Sequence, residues 1–121
     1  MARIGSDLDG VASFHGGLGP LAKAEEGGIS ARLLVINGAA DPMSPPEQVE
    51  AFRKEMADAG AALTFIDYPG AVHAFTNPRA TAIGKEFSLP LAYDAEADSK
   101  SWDELETFLR EIFSAGEHPE K

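Results

Sequence analysis

The sequence predicts an α/β fold built on about three parallel strands with flanking helices. Three observations carry that prediction. The run Leu33-Leu-Val-Ile36 is apolar at four successive positions, which marks a strand buried on both faces, the habit of parallel sheets. A second strand-like run, Leu63-Thr-Phe-Ile-Asp-Tyr68, is rich in β-branched and aromatic residues. Between them lies a stretch of helical periodicity, and a helix joining two strands implies parallel neighbours with a right-handed crossover. At 121 residues the chain is predicted to be a single domain, residues 1–121.

The elements follow in order. Residues 1–10 mix small and charged types and read as the tail of a helix plus a turn closing on Asp9-Gly10. Residues 11–15 form a short strand closed by Gly16-Gly17, and residues 18–26 form a loop or weak helix broken by Gly19-Pro20 and Gly27-Gly28. The buried strand spans residues 32–37. Ser44-Pro45-Pro46-Glu47 then opens a helix: Ser44 caps, Pro45 takes the first helical position, and Glu47 completes a capping box. Val49, Phe52, Met56 and Ala59 make its apolar stripe, and Gly60 stops it in the left-handed conformation.

After the strand at residues 63–68, Pro69-Gly70 turns the chain. Residues 71–97 are expected to be irregular, with Asn77-Pro78 and Leu89-Pro90 as breakers. The last helix is expected to start at Ser101, with Glu104 completing a second capping box. Its buried face is predicted to be Trp102, Leu105, Leu109 and Ile112, flanked by Phe108 and Phe113. Gly116 ends it, and the polar tail 117–121, with a solvated His118, is expected to fray. Three parallel strands are few for an α/β domain whose faces must be covered and edges managed. Association is therefore expected, as a homodimer through an exposed sheet edge or with a missing N-terminal half.

Composition narrows the function. Asp and Glu number 20 against 10 Lys and Arg, a net charge of −10, so phosphate backbones and anionic lipid surfaces are repelled. Neither nucleic acid nor membrane is an expected partner. No cysteine is present, which removes disulfides, thiolate zinc sites and a cysteine nucleophile from these residues. No apolar run approaches the roughly 20 residues of a membrane helix, and no basic-then-apolar leader opens the sequence. The expectation is a soluble, cytoplasmic protein. No cofactor and no metal are expected: the three histidines lack helical ligand spacing. The alternating Asp94, Glu96 and Asp98 lack the glycine and closing glutamate of a calcium loop and read as a solvated run leading into a helix.

In an open parallel sheet, ligands collect at the carboxyl ends of the strands. Asp41 follows one strand, within Asn37-Gly-Ala-Ala-Asp-Pro42, and His73 follows the next, within Gly70-Ala-Val-His-Ala-Phe75. If the strands are neighbours, the carboxylate can accept one imidazole N–H and leave the other ring nitrogen as a general base. Asp41 can equally start a turn before Pro42, and His73 can be a plain loop histidine. The residues alone leave both readings open.

Val11-Ala-Ser-Phe-His-Gly-Gly17, Leu34-Val-Ile-Asn-Gly-Ala-Ala-Asp-Pro42, Pro46-Glu-Gln-Val49 and Gly70-Ala-Val-His-Ala-Phe75, in this order, resemble the C-terminal half of the dienelactone hydrolase family of α/β-hydrolases. The resemblance runs from about residue 8 to residue 113, and the Trp102 helix resembles the family's last helix. It implies a partial α/β-hydrolase fold, with Asp41 as triad acid and His73 as triad base. The nucleophile, Cys or Ser within Gly-x-[Cys/Ser]-x-Gly, would lie upstream. None of the serines at 6, 13, 30, 44, 88, 99, 101 and 114 stands in that pattern. His15-Gly16-Gly17 invites comparison with an oxyanion-hole motif, but that motif precedes an elbow serine and none follows. His15 is read as structural, at the edge of the pocket. The family's arginine shortly after the histidine is replaced by Asn77, with Arg79 nearby, which argues against dienelactone itself as substrate. The chain is thus expected to carry the acid and base of a hydrolase for a small ester or lactone and to be inactive alone. The alternative is a non-catalytic remnant or protein-interaction module of the same fold.

Overall fold

The computed structural model describes residues 1–116, so the polar tail and His118 lie outside the described residues. Three parallel strands, β1 (Gly10–Phe14), β2 (Arg32–Gly38) and β3 (Leu63–Tyr68), form one sheet in the order β1-β2-β3. Phe14 pairs with Ile36, and Ile36 with Ile66, which sets the strand ends level at the carboxyl edge. Helix α1 (Pro46–Asp58) connects β2 to β3; α2 (Ala80–Phe87) and α3 (Ala95–Gly116) follow. A single 3-10 turn, Ala2–Ile4, precedes β1 and replaces the expected helix tail. Among the described residues, no helix is long and apolar enough to cross a membrane.

The central strand organises the core. Every residue of β2 after Arg32 is buried. Leu33 and Val35 point to one face and pack with Phe52, Met56 and Ala59 at α1. Leu34 and Ile36 point to the other and pack with Ala71, Phe75, Ala97 and Phe108. This alternation is why four successive apolar residues are needed: each face of the strand has its own core. The α1 stripe forms as predicted, and Gly60, at φ 70°, takes the left-handed position after the helix.

Other expectations are corrected. Helix α1 begins at Pro46, with Pro45 as an extended cap and no side-chain capping bond. A residue before proline is driven out of the helical region, so Pro45 yields the first position to Pro46. Ser44 is buried and its N–H is engaged with the Asp41 carbonyl instead. Residues 71–97 are not wholly irregular, because they contain α2. Its breakers bracket it: Asn77 accepts the Arg79 N–H at 3.0 Å at the start, and Ser88, at φ 53°, ends it before Leu89-Pro90.

The last helix begins at Ala95, not Ser101. Asp94 caps it by accepting the Ala97 N–H at 3.0 Å, and Glu96 and Asp98 occupy its dipole-favoured first turn. Ser101 is a buried mid-helix residue whose hydroxyl donates to the Asp98 carbonyl at 2.7 Å. The inward stripe therefore runs through Ala97, Ser101, Leu105, Phe108 and Ile112. Trp102 is 56% exposed and Phe113 67%, so neither belongs to the buried face, and Leu109 is exposed as well. Trp102 lies against Phe14 with ring centroids 5.4 Å apart and donates its indole N–H to Asp98 at 2.9 Å.

Candidate active site

The carboxyl edge gathers three loops, one from each strand. The β2 loop is the tightest. Gly38 ends the strand where a Cβ would come within 2.5 Å of the Ala71 carbonyl, so only glycine permits the β3 loop to lie this close. Ala40 donates its N–H to that same carbonyl at 2.9 Å, which ties the two loops together. Asp41 turns back on Gly38 through its own N–H at 3.0 Å, and its side chain is fully buried.

A buried carboxylate must be satisfied by hydrogen bonds. Asp41 Oδ1 accepts the Met43 N–H at 2.8 Å, and Asp41 Oδ2 is 2.9 Å from His73 Nδ1. The structure thus brings the two sequence-predicted residues into direct contact. His73 keeps 28% of its side chain exposed, so one ring nitrogen is held by Asp41 while the other is free of that bond. The loop carrying His73 is fixed by Phe75, which is fully buried, and by Ala92 N–H and Asp94 N–H, which donate to the carbonyls of His73 and Phe75. Ala74 between them sits at φ 61°, a left-handed conformation unusual for alanine.

The third contribution, from β1, is one that sequence reasoning placed at the pocket edge without a partner. His15 leaves the strand at φ 41°, continues the ladder by donating its N–H to Ile36 O at 2.8 Å, and stands 2.9 Å from Thr76 Oγ1 through Nε2. Its ring meets those of His73 and Phe75 edge-on, at centroid distances of 5.6 and 5.1 Å. Burial pushes the His15 pKa below that of a free imidazole, and the neighbouring His73 adds to the effect. A backbone hydrogen bond and the Asp41 carboxylate oppose it. The available signal was position, since His15 immediately follows a strand at the edge where Asp41 and His73 also lie.

The remaining candidates are elsewhere or otherwise engaged. Among the described residues, no serine hydroxyl is hydrogen-bonded to His73. Asn77 spends its side-chain oxygen on the start of α2. Asp94, Glu96 and Asp98 serve as helix cap, partner of Lys100, and acceptor for the Tyr93 hydroxyl. A cavity of about 490 Å³ opens on the α1 face, lined by Arg3, Val11, Leu18, Val35, Phe52 and Met56 among others. Neither Asp41 nor His73 lines it, so volume and chemistry point to different places, and the hydrogen-bonded pair is the better guide to a reaction.

Parallel strands that present an aspartate and then a histidine from successive loops at one edge place the protein among the α/β-hydrolase folds. Residues 1–113 match the dienelactone hydrolase family, and the chain belongs to that family. It is 34% identical to the uncharacterized protein K02A2.1 of Caenorhabditis elegans over 110 residues, covering 86% of this chain and 65% of that protein. Among solved structures it is similar to the dienelactone hydrolase-like promiscuous phosphotriesterase P91 from metagenomic libraries, with 34% identity and a TM-score of 0.82. It is also similar to m3DLH, with 32% identity and a TM-score of 0.81. Each of these alignments covers 92% of this chain and 45% of the other. The chain therefore spans less than half the length of the two solved structures and about 65% of the worm protein.

Proposed function

We propose that Asp41 and His73 are the acid and the general base of a hydrolase for an uncharged ester or lactone, and that the nucleophile comes from residues outside these 121. The observation that carries this reading is the 2.9 Å contact between the buried Asp41 carboxylate and His73 Nδ1. With Nδ1–H donated to Asp41, the lone pair of His73 resides on Nε2. Nε2 takes the proton from a thiol or hydroxyl as its S or O atom bonds to the ester carbonyl carbon, and the carbonyl electrons move onto oxygen. Collapse of that tetrahedral species breaks the bond to the leaving oxygen, which receives the proton from His73. Water then repeats the sequence on the acyl-enzyme, releasing the acid and restoring the nucleophile. Asp41 stabilises the imidazolium formed in each half.

Placing the nucleophile elsewhere is supported by the lack of any Gly-x-Ser-x-Gly within the sequence and of any serine bonded to His73 among the described residues. An uncharged substrate is supported by the turn role of Asn77 and by the net charge of −10. A phosphotriester, the class named for the similar P91 protein, is also uncharged. The test is hydrolysis of p-nitrophenyl acetate. The chain alone is expected to show only slow background that His73→Ala leaves unchanged. His73-dependent turnover is expected once a polypeptide bearing a Gly-x-[Cys/Ser]-x-Gly elbow is supplied. His73-dependent turnover by the chain alone would overturn the placement of the nucleophile. No turnover in either case would favour a non-catalytic interaction module.

A cytoplasmic setting is part of the proposal, and a sequence without cysteine is compatible with it. So is association through β1, one of the two edge strands of the sheet and the one beside the open cavity, as a homodimer or with an N-terminal half. Exposed Met1, Ile4 and Leu21 stand beside that strand around the α1-face cavity. Light scattering at micromolar concentration is expected to give twice the 12.8 kDa chain mass, and a clean monomer would overturn the homodimer.

A further inference from the structure

We infer that His15 is a positioning residue for His73: its bond to Thr76 clasps the histidine loop to the end of β1. The inference rests on the reading of Asp41 and His73 as an acid–base pair and adds a third loop to it.

The clasp is built from distant parts of the sequence. His15 Nε2 and Thr76 Oγ1 are 2.9 Å apart across 61 residues. Thr76 lies three residues after His73, on the far side of buried Phe75, so a tether at Thr76 fixes the loop beyond the histidine. Asp41 and the Ala71 carbonyl fix it on the near side. Both non-glycine residues in left-handed conformations near the pair, His15 at φ 41° and Ala74 at φ 61°, belong to this clasp or the loop it holds. Such conformations persist only where surrounding contacts over-determine them. Gly16 and Gly17 stand next to His15 and would tolerate that backbone without strain, yet the histidine occupies it.

The ring is also suited to its neighbours. It contacts Phe75 and His73 edge-on, so its plane is fixed by packing as well as by Thr76. The charged groups bearing on it are His73 and Asp41, and burial with His73 favours its neutral form. A neutral His15 leaves Asp41 free to stabilise positive charge on His73 alone. The Thr76 hydroxyl can donate or accept, so the clasp holds in either tautomer of His15.

The test is proton NMR of the 121-residue chain, reading the His73 Nδ1 proton. Bonded to a buried carboxylate, that proton is expected to give a resolved low-field resonance protected from exchange with water. Asp41→Asn is expected to abolish the resonance. Thr76→Val, which keeps shape and removes the hydroxyl, is expected to broaden it beyond detection while the amide spectrum of β2 stays unchanged. His15→Phe should do the same, and His15→Gln, whose amide can reach Thr76, should restore it. If His15→Phe fails to fold, Thr76→Val decides alone. Loss with Asp41→Asn but an unchanged resonance in Thr76→Val overturns the clasp and leaves the acid–base pair standing. A resonance that survives Asp41→Asn overturns the pair itself.

Discussion

The two crossovers of the sheet differ sharply. Between β2 and β3 the chain forms α1, closes its turns, and buries Asp41 with both carboxylate oxygens bonded. Between β1 and β2 it forms no helix: residues 15–31 cross as loop, with Leu18 and Ala24 buried but Leu21 fully exposed. The first crossover is completed by its own residues. The second leaves a cavity beside β1, which among the described residues pairs on one side only, as β3 does at the other edge. Asp41 and His73 therefore follow the strands whose crossover is closed by its own helix, and the open cavity lies on the side of the helix-free crossover.

The contrast breaks if the β2 region is not the stable one. Ile36 is fully buried and packs with Phe75 and Phe108, so Ile36→Ala removes about 2–5 kcal/mol of stability by lost transfer and cavity energy. Urea unfolding should show a lower midpoint with an unchanged slope. A loss below about 0.5 kcal/mol, the range of ordinary surface changes, would mean that the second core is loosely packed.

Legibility in the sequence follows the same division. β2 and β3 were readable because burial on both faces leaves a continuous apolar run and β-rich composition is local. Asp41 and His73 were readable as positions because parallel topology sends both loops to one edge, and the resemblance implies the roles proposed for them. The start of α3 was not readable. Its inward stripe begins with Ala97 and Ser101, which carry little hydrophobic signal, while Trp102 and Phe113 carry a strong one and face outward. Helix α2 was hidden because proline marks the limits of a short helix as readily as it forbids one. The His15–Thr76 contact depends on tertiary packing and two left-handed residues, which no spacing in the chain encodes.

The second prediction tests how the open crossover is held at all. Arg3 Nε and Nη2 donate to Glu55 at 3.0 and 2.9 Å, Nη2 also reaches the Leu18 carbonyl at 2.8 Å, and Ala24 N–H donates to Glu55 at 2.9 Å. One ion pair thus ties the 3-10 turn and residues 18–24 to α1. The Arg3 hydrogen bond lowers the Glu55 pKa, against a smaller opposing effect of burial. A carboxylate with a lowered folded pKa stabilises the fold above its unfolded value, 4.5, and loses that contribution as pH falls through the folded value. Arg3→Met should cost about 1 kcal/mol at neutral pH, a charged hydrogen bond discounted for solvent screening. It should also flatten the acid limb of the stability profile below 4.5, measured by urea unfolding across pH. An acid limb unchanged in the variant would remove this tie from the account.

The smallest effect is the sharpest test of openness. Leu21 is fully exposed, yet it lines the cavity with Met1, Ile4 and Phe52. A side chain with no water to expel contributes almost nothing on folding, so Leu21→Ser should change stability by no more than about 0.5 kcal/mol in the dissociated chain. The same substitution removes apolar surface from the flank where association is proposed, and there its cost falls on the complex. Urea midpoints should therefore match wild type at low protein concentration and fall behind it as concentration rises, because only association makes stability depend on concentration. A loss above about 1 kcal/mol at every concentration would mean that Leu21 packs within its own chain, and the crossover would no longer count as open.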